Sequence, residues 1–157
     1  MKNFRTVALC ASLLFNSHFL SAQTSDVPIN EPKQNQPKLF QSLPDNIPLK
    51  MENIANLFGG EVGRTLSINL SDATSFRFEG NVVSSVSKYE NSIQSVVIRS
   101  TNYPGSTLTI SKITAENGTT SYTGRILSMQ HGDTYELKNI NNQFVLVKRK
   151  FYDLVNE

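Results

Sequence analysis

The residues best equipped for chemistry fall in one short run: Ser128, Gln130, His131, Gly132 and Asp133. A neutral imidazole beside a carboxylate can serve as a general base, and a neighbouring serine hydroxyl can serve as a nucleophile. His131 with Asp133, acting on Ser128, would make a small secreted hydrolase. The spacing argues against it. Working triads gather their members from separate elements, and a nucleophilic serine commonly sits on a strand-to-helix elbow. No such elbow surrounds Ser128. The simpler expectation is a turn that Gly132 makes and Asp133 caps, with His131 as a loop residue.

Metal chemistry is no better supported. His131, Asp133 and Glu136 are acceptable zinc ligands, but a second His or Cys usually completes such a set. Asp72, Asp133 and several asparagines sit near expected turns without the dense acidic spacing of a calcium loop. Glu79, Glu90, Glu116 and Asp133 are scattered over different turns, which brings no two carboxylates to one sugar bond. The Gly59–Gly63 stretch is Gly-rich, but it follows an expected helix and lacks the Lys-Ser/Thr of a phosphate loop. The expectation is no metal and no cofactor.

Binding chemistry has more candidates. Tyr89, Tyr103 and Tyr122 are placed to be exposed aromatic contacts, and Tyr103-Pro104 marks a turn tip, where binding residues gather. Lys148, Arg149 and Lys150 form a short basic run at the end of the last expected strand. Such a run discourages edge-to-edge pairing or meets a partner's acidic patch.

These residues need a scaffold, and the periodicity supplies one. Ile47, Leu49 and Met51 alternate with polar residues, as in a short strand. Ile54, Leu57 and Phe58 recur at helical spacing before Gly59-Gly60, a stop signal, so a helix is expected over 52–58. From Val62 onward the alternation is that of strands. Leu66, Ile68 and Leu70 form one set. Phe76, Phe78, Val82 and Val86 form another, with a turn or bulge at Gly80-Asn81. Residues 93–100, 107–114, 119–128, 134–139 and 143–150 complete about seven to eight strands. Glu90-Asn91-Ser92, Pro104-Gly105, Asn117-Gly118 and Asn141-Asn142 separate them. A two-residue type I′ turn at Asn117-Gly118 would set Ile113 opposite Tyr122 and Leu108 opposite Leu127. Short connections predict an antiparallel meander. Apolar residues on both faces, with Val96 and Ile98 alternating with Ile93 and Val97, favour a rolled sheet, small barrel or sandwich. The expected fold is therefore mainly all-β, with one short N-terminal helix, in a single domain over residues 39–157.

The region before it has a different composition. Residues 1–22 carry Lys2 and Arg5, then a short apolar run, then a polar-to-small stretch ending at Ala22, the layout of a secretory signal peptide. Residues 23–38 belong to a stretch that, extended to Pro48, holds five of the six prolines. They read as a disordered arm. The chain has 15 basic and 13 acidic residues, and removing Lys2 and Arg5 leaves 13 against 13. Cys10, the single cysteine, and His18 leave with the same segment. The exported chain is then neutral and cysteine-free, which removes disulfide scaffolding, thiol chemistry and electrostatic nucleic-acid binding.

Together these features favour an exported, periplasmic or extracellular, non-enzymatic binding module. Its partner is a protein or cell-envelope component, with no membrane insertion after cleavage. Exposed strand edges offer one means of recruitment, by strand addition. The alternatives are the His131 hydrolase, an eight-stranded outer-membrane barrel, and an inhibitor or folding assistant of a co-exported protease.

Overall fold

A computed structural model describes residues 36–71 and 76–151. The segment read as a signal peptide, residues 23–35 of the arm, Asp72 and residues 152–157 lie outside the described residues. Among the described residues eight strands and one helix form: β1 (Asn46–Pro48), α1 (Met51–Ala55), β2 (Thr65–Asn69), β3 (Arg77–Lys88), β4 (Ile93–Ser100), β5 (Ser106–Thr114), β6 (Thr120–Ser128), β7 (Asp133–Ile140) and β8 (Gln143–Lys150). They make one antiparallel sheet in the order β1-β8-β7-β6-β5-β4-β3-β2, curled into a half-barrel. The meander from β2 to β8 is the all-β rolled sheet that the alternation predicts.

The core follows from that alternation. Val82, Ile98, Leu108, Ile126 and Tyr135 are successive cross-strand partners, and all five are buried. Side chains of period two put this row on the concave face. The chain ahead of β2 then fills the hollow with Phe40, Ile47, Leu49, Ile54 and Leu57. Each fully buried large apolar side chain contributes about 1.5–3 kcal/mol, so this segment is integral to the domain. It also draws the two sheet edges together. The Leu49 N–H donates to the Phe144 carbonyl of β8 at 2.8 Å, and the next residue, Lys50, donates its N–H to the Leu70 carbonyl just after β2 at 3.1 Å.

Three local expectations differ from the structure. The helix is shorter than expected, Met51–Ala55, and its last residues continue as single turns from Leu57 to Ile54 and from Phe58 to Ala55. Gly80-Asn81 is not a turn. β3 runs straight through, and the irregularity falls between Val82 and Ser84. A bulge inserts one residue and reverses the in-out phase beyond it. Ser85 therefore faces Val96, and Val86, expected to continue the core row, is 42% exposed.

The third difference is at Asn117-Gly118. Gly118 alone takes positive φ there, +79°; its N–H bonds the Ala115 carbonyl, and the Ala115 N–H bonds Thr119 O. This is a three-residue loop, a type I turn followed by a glycine bulge, rather than a two-residue type I′ turn. Asn117 Oδ1 accepts from the Thr119 N–H at 2.9 Å, which holds Asn117 in the turn. The register moves by one, so Lys112 faces Tyr122 and Leu108 faces Ile126. At Asn141-Asn142, by contrast, both residues have positive φ, +51° and +63°, and Ile140 pairs with Gln143 as a type I′ turn requires.

Candidate functional site

The run from Ser128 to Asp133 forms the β6–β7 turn, and its groups are turned toward the incoming chain. Asp133 is buried, and its Oδ2 accepts the main-chain N–H groups of Leu39 and, at 3.2 Å, of Phe40. His131 Nδ1 lies 2.8 Å from the Pro37 carbonyl, an acceptor, so Nδ1 carries the hydrogen. Lys38 Nζ donates to the His131 and Gly132 carbonyls at 2.9 and 3.1 Å. Ser128 Oγ is buried and has no hydrogen-bond partner among the described residues. Among the described residues no hydrogen bond links Asp133 to His131 or His131 to Ser128. The three residues are adjacent without forming a relay. Asp133, His131 and the carbonyls of His131 and Gly132 clamp residues 37–40 where the arm enters the domain.

The remaining candidates are dispersed. Tyr103 packs against Phe40, Phe76 and Phe78, with ring centroids 5.5, 5.8 and 6.2 Å away, and burial raises its pKa. It is a half-buried core ring rather than a surface contact. Tyr122 packs between Phe58 and Phe144. Tyr89 is the exposed one, at 75%, in a turn where Tyr89, Glu90 and Asn91 all have positive φ.

The basic run does not form one patch. Lys148 points inward, donating to the Leu43 carbonyl at 2.6 Å and lying 5.7 Å from the Tyr135 ring centroid. Arg149 pairs with Glu136 at 3.4 Å, and Lys150 is exposed. The carboxylates are equally separate. Glu79 pairs with Arg77, Glu136 with Lys138 and Arg149, and Asp133 with main chain. Among the described residues no three His, Cys, Asp or Glu side chains gather into a possible metal set.

The site that residue types do not announce is a strand edge. Among the described residues β2 pairs with β3 alone. The Leu70 N–H bonds Phe76 O and the Val82 N–H bonds Arg64 O, which fixes the antiparallel alternation. Residues 64, 66, 68 and 70 aim their main chain at β3, while Thr65, Ser67 and Asn69 aim theirs outward. The Asn69 carbonyl is met by Asn53 Nδ2 at 2.6 Å. The outward N–H and C=O groups of Thr65 and Ser67 meet no partner among the described residues.

Beside this edge runs a groove of about 470 Å³, walled by β2 on one side and by Asn53, Asn56, Leu57 and Gly60 on the other. Leu66 and Ile68 are half-buried, and Leu57 is buried. Among the described residues Arg64 is the single charged one lining the groove. β2 also lacks the lysine, proline or bulge that usually blunts an edge. That absence was the available signal, but it becomes meaningful only once the topology makes β2 an edge. The opposite edge is the three-residue β1, which ends in Pro48 and pairs with Val145, Leu146 and Val147 of β8.

A second opening lies inside the sheet. β6 and β7 pair from Ser128–Asp133 to Arg125–Glu136 and then part, whereas β5–β6 and β7–β8 pair along their full lengths. The gap holds a cleft of about 480 Å³ lined by Thr123, Gly124, Arg125, Glu136, Leu137 and Lys138, among others.

Comparison with known proteins adds no relative: no family model matches the chain, and no curated protein or solved structure matches it significantly.

Proposed function

We propose that the chain is an exported, non-enzymatic interaction module that binds an extended segment of a partner protein by adding it as a strand to β2. The observation that carries this reading is the open edge of β2 beside a groove of mixed lining, in which Leu57, Leu66 and Ile68 supply the apolar surface. Outward N–H and C=O groups at alternate residues match the spacing of another extended polypeptide, which few other ligands reproduce. Leu57, Leu66 and Ile68 would receive alternate side chains of the segment. Export rests on the signal-peptide layout of residues 1–22.

The outward face favours a water-exposed domain over an outer-membrane barrel. One cross-strand row reads Ser84, Val97, Thr109, Arg125, Glu136 and Val147, with two charges at its middle. A lipid-facing row would be apolar there. The hydrolase reading has less support, because Asp133 and His131 are occupied by main chain.

Ser67→Pro tests the proposal. Proline removes an outward N–H and leaves the β2–β3 ladder intact. A displayed library of random ten-residue peptides, selected against the purified chain, should yield extended binders. Ser67→Pro should lose at least about tenfold in their affinity while its circular dichroism and melting curve stay near those of the parent. Failure to select any binder, or full affinity in a folded Ser67→Pro variant, would refute strand addition at β2.

A further inference from the structure

We infer that the segment added to β2 presents a carboxylate at its C-terminal end, held by Arg64; this rests on the strand-addition reading and specifies its partner. Among the described residues the groove carries a single formal charge. Of its ten lining residues, three are asparagines, two are hydroxyl-bearing, four are apolar or glycine, and the tenth is Arg64. Arg64 is exposed and makes no ion pair among the described residues. Glu61 shares its turn, with the Arg64 N–H bonded to the Glu61 carbonyl, but the Glu61 side chain does not line the groove. An unpaired guanidinium beside main-chain donors suits a carboxylate, which it binds through two parallel hydrogen bonds.

The position of Arg64 fixes which end of the segment carries that group. Arg64 immediately precedes Thr65, the first residue of β2. Every pairing in the sheet is antiparallel. A strand added in the same sense runs against β2, so its C-terminal end arrives beside Arg64. At the other end, Asn53 already occupies the Asn69 carbonyl, which closes the ladder there. The outward groups of Thr65 and Ser67 are left for main-chain pairing, with the carboxylate site next to them. A short extended segment ending in acid matches that order of groups.

Three peptides distinguish the sources of the carboxylate. The first is a six-residue alternating Thr-Val peptide with a free C-terminus. The second is the same peptide amidated. The third is amidated but carries Glu at its last position. Binding to the full chain is read by fluorescence anisotropy at low salt. The free acid, the Glu peptide or both should bind at least about tenfold tighter than the neutral amide, and the gap should narrow with added salt. Preference for the free acid alone identifies a chain terminus, and tight binding of the Glu peptide identifies a side chain. Arg64→Gln should abolish the preference, so that the acid and amide peptides bind alike.

Equal affinities for all three peptides, still lost in Ser67→Pro, would overturn the carboxylate inference and leave strand addition standing. A preference that survives Arg64→Gln would overturn the assignment to Arg64. If none of the three binds, strand addition falls, and the carboxylate inference falls with it.

Discussion

The carboxylate of Asp133 is engaged by the main chain of Leu39 and Phe40, and this decides what the most chemically suggestive run in the chain does. Asp133→Ala would strand two amides, that of Phe40 in a buried setting. Unsatisfied buried donors cost about 1–3 kcal/mol each, so a loss of roughly 2–4 kcal/mol is expected in urea unfolding. Amide exchange at Leu39 and Phe40 should rise at the same time. His131→Ala should cost less, about 1 kcal/mol, since its contact to Pro37 is a single exposed hydrogen bond. A hydrolase would instead lose an assayable activity in that variant.

Tyr135 offers a pH test at the same scale. Burial, and then the charges of Asp45 and Asp133 and the nearby Tyr103, raise its pKa well above the ordinary 10.0. The unfolded chain therefore releases this proton at lower pH than the folded one. Stability from this group is complete below about pH 10 and falls as pH climbs from there toward the raised folded value. Melting temperature should drop in that window. In Tyr135→Phe the drop should be shallower, and tyrosinate absorbance should show one fewer late-titrating phenol.

At the scale of elements, strands were legible and registers less so. β4 and β8 occupy the residues that their β-branched and alternating composition marks, 93–100 and 143–150. The β5–β6 register was misread because Asn-Gly serves both a two-residue turn and a type I turn with a bulge, and a local motif does not decide between them. The phase of β3 was misread because the bulge follows Val82, in a stretch whose residue types do not mark it.

Glycines separate two kinds of constraint. A Cβ on Gly80 would lie 2.4 Å from the Arg99 carbonyl oxygen, and one on Gly124 would lie 2.6 Å from that of Thr109. Main chain cannot yield as a side-chain tip does, so Gly80→Ala and Gly124→Ala should each cost about 3 kcal/mol. Gly118→Ala meets nothing within 4 Å and bears only the left-handed φ of +79°. It should cost about 1–2 kcal/mol. Chemical denaturation of the three variants tests this ranking, and equal losses would contradict it.

For the whole molecule, the proposed function turns on which edges the topology leaves open. The basic run at Lys148, Arg149 and Lys150 read as protection for an edge, yet β1 covers β8 up to Val147, and the unguarded edge is β2. Composition does not order strands across a sheet. The five residues of β2 look like any half-buried strand until the sheet order places them last. The clamp on residues 37–40 was equally invisible, because it depends on contacts more than ninety positions apart in the chain. The proposed strand addition rests on the open edge and makes its own demand on main-chain protection. Residue-resolved amide exchange of the chain, free and saturated with a selected peptide, tests it most directly. Protection should rise at Thr65 and Ser67, whose N–H groups face outward, and stay unchanged at Leu66 and Ile68, which already bond β3. Uniform protection along β2, or none at Thr65 and Ser67, would contradict the account.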